Sequence, residues 1–146
     1  MLAQLPDWAR DVALLVGRLL LGVVMFAYGW DKWIAKGLTA TAAGFGHGGV
    51  PFPFLSATYA GTVELVGGAL LIFGACTALV GVLMVLDMAG AIVVTHQYVS
   101  ITGRPGIALT GAILAGALVF AAIGAGRYSV DHLLASRRSA TRPGVA

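Results

Sequence analysis

Charge is what this sequence has least of. Asp, Glu, Lys and Arg make up 10% of its 146 residues, where a soluble domain carries about 25%. Hydrophobic residues reach 59% and mean hydropathy is +0.93, so a water-soluble fold could not cover its own surface. There is one cysteine, Cys76, which excludes an internal disulfide. The chain has no CxxC and no zinc-ligand spacing. A single cysteine also cannot hold an iron–sulfur cluster, which takes about four ligands. The segment GFGHGG at 44–49 follows no strand and clearly opens no helix, so it is not a phosphate loop. The net charge of +3 comes mostly from a basic C-terminal tail, which suits membrane orientation and not nucleic-acid binding.

What remains is a bilayer protein. Four apolar runs, 12–30, 57–73, 77–98 and 107–126, each approach the roughly 20 residues that cross ~30 Å of hydrocarbon as a helix. The expected fold class is all-α: a polytopic four-helix membrane bundle over 1–135, with a basic, disordered tail at 136–146. Asp7 and Asp11 precede the first run and no small-x-small site follows it. The run reads as a retained span and not as a signal peptide. The connection 31–56 holds FGHGGVPFPF (45–54), too broken for a helix and too apolar to be fully wet. It reads as a lid over the bundle or at the interface. Residues 74–76 are a tight turn, and 99–106 carry Gly103, Arg104 and Pro105.

Cations outside the spans fall unevenly. Arg10, Arg127, Arg137, Arg138 and Arg142 lie on one side, and Lys32, Lys36 and Arg104 on the other. Both termini are therefore expected in the cytoplasm. Tyr28, Trp30, Trp33, Tyr59 and Tyr98 would line the outer interface, Trp8 and Tyr128 the inner one.

Three ionisable residues fall inside the spans. Glu64 and Asp87 lie at the centres of the second and third, and Arg18 lies about three residues, ~4.5 Å, from the centre of the first. Glu64 shares its helix face with Ala60, Gly61, Gly67 and Gly68, small residues that admit a neighbouring helix. The spacing points to a buried layer of Arg18, Glu64 and Asp87 containing an Arg18–Glu64 ion pair, bidentate in the best case. One arginine cannot neutralise two carboxylates in a dry interior, so one of them is expected to keep a proton at neutral pH. Such a layer marks a ligand or proton site, or only fixes helix register; both readings stand. Lys32 is expected at the interface, at the outer end of the first span. Asp131 is expected to pair locally with Arg127 or to act as a cap.

The runs GRLLLGVVMFAYGWDKW (17–33), VELVGGALLIFG (63–74) and GAGRYSVD (124–131) resemble the DoxX family of small four-helix membrane proteins. The resemblance is carried by Arg18, by Gly29 to Lys32, by Glu64 with Gly67 and Gly68, and by Ser129 and Asp131. It implies a bacterial plasma-membrane subunit of a redox complex, linked to sulfur, superoxide or quinone chemistry, and a partner for soluble redox enzymes.

The residues themselves offer little for redox chemistry by the chain alone. His47 and His96 could meet only at the outer face, and His132 is remote from both. With no metal or covalent cofactor ligated, a diffusible quinone is the expected carrier. It would be held by Arg18, Glu64 and Asp87, or nearer the outer face by His96, Tyr98, Lys32 and His47. The alternatives are a non-enzymatic scaffold or chaperone, and a small-molecule or proton carrier that would work as a homo-oligomer.

Overall fold

The computed structural model describes residues 6–94 and 107–140. His96, Tyr98 and Arg104, the expected end of the third span and the end of the tail all lie outside the described residues. Among the described residues every regular element is helical. Helix α1 spans Asp7–Trp30 and continues through a π turn, Asp31–Ala35, as one 29-residue apolar segment. Helix α3, Pro53–Thr62, runs through a second π turn, Val63–Gly67, into α4, Gly68–Phe73, for 21 residues in all. Helix α5 is Thr77–Val94 and α6 is Ile107–Ile123. The first three segments are long and apolar enough to cross a membrane, and α6 is a shorter apolar helix of 17 residues. The chain is an all-α polytopic membrane protein.

Two short helices lie off the spans. Helix α2, Leu38–His47, packs on α3, so this part of the connection 31–56 is helical where its glycines suggest an irregular segment. Its first half, LTATAA, contains no breaker, and Thr41 Oγ1 donates within the Gly37 and Lys32 carbonyl pair at 3.1 and 3.2 Å. Pro53 then opens α3 at a position where a missing N–H is harmless. Helix α7, Val130–Ala140, follows α6, so residues 136–140 extend a helix where a disordered tail is expected.

The helices form two pairs: α1 lies along α3–α4, and α5 lies along α6. Met25, Leu71, Met84, Ala117 and Phe120 fill the space between the pairs. Leu20, Leu79 and Val93 turn outward, as lipid contact requires. Close backbone approach sets the first pairing. A Cβ on Gly68 would stand 2.5 Å from the Phe26 nitrogen, and one on Gly29 would stand 2.2 Å from the Leu65 nitrogen. Helix axes this near tolerate no side chain at the crossing, because the obstructing atoms are backbone and cannot yield.

That constraint predicts a sharp contrast between glycines. Gly68→Ala should lower stability by about 1–3 kcal/mol, read as a lower thermal midpoint in detergent. Gly44→Ala, in α2 with open space around it, should leave the midpoint unchanged or slightly raised. Equal effects at the two positions would contradict the close crossing.

Candidate functional site

A carboxylate, a hydroxyl or a guanidinium inside an apolar bundle must find a partner. In this chain the partners form two clusters at opposite ends of the bundle.

The first cluster lies where α1 begins and α6 ends. Arg18 is 2% exposed. Its Nη1 donates to the Ala125 carbonyl at 3.0 Å and its Nη2 to the Tyr128 carbonyl at 2.7 Å. The turn that joins α6 to α7 is thus tied to α1. Gly74 allows this: its φ is +68°, and a Cβ there would stand 2.3 Å from Arg18 Nη1. Asp131 accepts the Cys76 and Thr77 N–H groups at 2.7 and 2.8 Å, which caps α5 from another helix. Its own N–H donates to the Gly74 carbonyl at 3.0 Å. Arg127 reaches Asp11 and not Asp131: its backbone N–H donates to Asp11 Oδ1 at 3.4 Å, and its Nε lies 4.0 Å from Oδ2. His132 belongs to this end and is exposed.

The second cluster answers what neutralises Glu64. The partner is Lys32 and not Arg18. Both residues sit in π turns, Lys32 in the one that extends α1 and Glu64 in the one between α3 and α4. A π turn inserts a residue and shifts the face that every later residue presents. Lys32 Nζ is also 5.4 Å from the centroid of the Tyr28 ring, a cation–π distance. Its stem passes Gly61, where a Cβ would lie 3.5 Å from Lys32 Cβ. The lysine therefore turns into the bundle instead of snorkelling outward. Its expected interfacial position is replaced by contact with a carboxylate one helix away. Lys36 pairs instead with Asp31, at the surface.

Asp87, on α5, stands within electrostatic reach of Glu64 and Lys32. It is 8% exposed, and its Oδ2 is buried with no hydrogen-bond partner among the described residues. The three side chains share one wall of a cavity of about 730 Å³. Met25, Met88 and Ile113 add apolar surface to it, and Phe45 and Val50 close over it from α2 and the loop that follows. Leu55, Tyr59, Leu86 and Leu109, all well exposed, rim it on the side that faces lipid.

The charges expected in one layer are therefore divided. Glu64 and Asp87 share the cavity, Arg18 stands at the other end, and Lys32 takes the place assigned to Arg18. His47, at the end of α2, is exposed and does not line the cavity. A 3.6-residue count could not find Lys32, because no sequence period announces a π turn. A usable signal was the helix formed by residues 7–35, which is longer than a bilayer needs.

With the geometry in place, comparison with known proteins is informative. The profile of the DoxX family matches residues 13–97. CatD of Bacillus subtilis, provisionally named an oxidoreductase, is 36% identical over 57% of this chain and 59% of its own length. The match therefore spans about three fifths of that relative. The membrane protein Rv3486 of Mycobacterium tuberculosis is 28% identical over 92% of this chain and 93% of its own. The inner membrane protein YphA of Escherichia coli is 30% identical over 65% of this chain and 66% of its own. No solved structure matches the chain.

Double-mutant cycles separate the two pairings. Lys32→Met should cost about 3–5 kcal/mol by leaving a buried carboxylate uncompensated. Adding Glu64→Gln should recover much of that loss. The Arg18→Gln and Glu64→Gln pair should instead be additive within about 0.5 kcal/mol, as expected of residues with no shared partner. Unfolding in a mild detergent measures both; strong coupling between Arg18 and Glu64 would contradict the geometry.

Proposed function

We infer the function from one premise: the chain belongs to the DoxX family of membrane proteins. We propose that it is the membrane subunit of a redox assembly, and that the cavity beside Lys32, Glu64 and Asp87 receives a quinone from the bilayer. The observation that carries this reading is the cavity itself. At about 730 Å³ it lies within the ~300–1,000 Å³ of small-molecule sites, and it combines apolar walls with a few convergent polar groups. Its rim of exposed apolar residues faces the phase in which a quinone dissolves. The ammonium of Lys32 is a hydrogen-bond donor for a carbonyl oxygen, and Asp87 is a site where a proton can be held or released. When bound, a quinone would supply two-electron, two-proton redox chemistry; the residues of this chain would orient it and exclude water. The oxidoreductase name of CatD supports the same class of function, through a match to part of that protein.

In this reading the chain is not catalytic alone. Electrons would pass between the cavity and a soluble redox enzyme docked at a membrane face. Arg10, Arg127 and Arg137 lie at the end of the bundle that carries the termini, and Lys32 and Lys36 belong to the other. That excess favours termini in the cytoplasm, where α7 would lie within reach of such a partner. The scaffold reading keeps the docking and leaves the cavity idle. A carrier would need the cavity to open toward both faces.

Titration of the chain in lipid nanodiscs with decylubiquinone and decylubiquinol should give saturable quenching of tryptophan fluorescence by at least one redox form. Gly90 lines the cavity and has open space where a Cβ would go. Gly90→Leu should therefore weaken binding roughly tenfold or more by filling the site, with the thermal midpoint unchanged. A flat titration with both forms would remove the quinone reading and leave the scaffold.

A further inference from the structure

The polar groups on the cavity wall are unequal in kind. Lys32 is the half-buried cation on that wall, and it is already held by Glu64 and by the Tyr28 ring. The hydroxyl of Tyr59 donates to the Leu83 carbonyl at 3.3 Å, and Ser56 Oγ donates to the Pro51 carbonyl at 2.8 Å. Against these stand two carboxyl groups, Glu64 and Asp87, and Asp87 Oδ2 is buried on a wall of the cavity without a hydrogen-bond partner among the described residues. Tyr28 and Thr110 add hydroxyls that accept as well as donate, so among the described residues the wall carries more acceptor than donor capacity.

From this imbalance, and resting on the reading of the cavity as a quinone site, we propose that it selects the reduced form: a diphenolic quinol, bound through an O–H to Asp87. The chemistry follows from donor and acceptor capacity. An ionised carboxylate accepts only, and a protonated one both donates and accepts. A quinone carbonyl accepts only, so it satisfies Asp87 in just one of those two states. A quinol hydroxyl donates and accepts, so it satisfies Asp87 in both. Leaving a buried acceptor unmatched costs more than a matched bond returns, which makes an O–H that reaches Asp87 the deciding feature. Lys32 can donate to an oxygen of either redox form, so the discrimination falls to Asp87. The quinol would enter past Leu55, Tyr59, Leu86 and Leu109 on the lipid side.

Three probes of one shape test this: decylubiquinol, decylubiquinone and the dimethyl ether of the quinol, each titrated anaerobically into nanodiscs holding the whole chain. The quinol should bind roughly tenfold tighter than the quinone and the ether, about the effect of one hydrogen bond to a charged acceptor. Asp87→Asn places a group that both donates and accepts at the same position, so it should weaken the quinol, strengthen the quinone and close most of the gap. Equal or tighter binding of quinone or ether to the unaltered chain overturns the proposal while the cavity keeps its role as a quinone site. Binding by none of the three overturns both. The comparison on the unaltered chain decides the matter even if the Asp87 variant fails to fold.

Discussion

A carboxylate in hydrocarbon needs a counter-charge that can physically reach it, and Lys32 reaching Glu64 is the contact that much of this structure is shaped around. For the two to meet, α1 must run past the length of an ordinary span, and both helices must depart from α geometry where the charges sit. The helices must also come close. Gly29 against Leu65 and Gly61 beside Trp33 and Lys32 leave no room for larger residues. The ion pair is thus a consequence of the same small-residue crossing that joins α1 to α3–α4. Because neither residue would be tolerated there alone, each holds the other in place.

At the other end of the bundle the polar demand is different. Helix ends leave N–H and C=O groups unpaired, and a membrane protein must satisfy them without water where they are buried. Arg18 supplies donors to the carbonyls at 125 and 128, and Asp131 supplies acceptors to the first N–H groups of α5. Two charged side chains thereby stitch the α4–α5 and α6–α7 turns to α1. This cluster closes the fold and shares no lining residue with the cavity.

The separation matters for function. Charges that lock turns are engaged by backbone groups: Arg18 gives Nη1 and Nη2 to carbonyls, and Asp131 takes two N–H groups. The cavity cluster is different because Lys32 faces two carboxyl groups there, and one oxygen of Asp87, on the cavity wall, has no partner among the described residues. Intramembrane charges beyond structural need are where ligand or proton chemistry is expected. Helix α2 adds to this by covering the cavity at the end away from the chain termini, which leaves the lipid side as the evident approach.

Composition alone determined that this chain lives in a bilayer as a helical protein, because so few charges cannot cover a soluble surface. Local pattern also located the apolar helices among the described residues, the small-residue faces and the burial of Arg18, Glu64 and Asp87. Partnership was not legible. The count that set Arg18 beside Glu64 assumed straight helices with 3.6 residues per turn and depths measured from span centres. Only the tertiary structure brings in two π turns, a backbone-bound Arg18 and a lysine turned inward, because these depend on which helices touch and how closely. The glycines of 44–49 misled for a related reason: α2 forms by packing on α3, a stabilisation that no window of its own sequence contains.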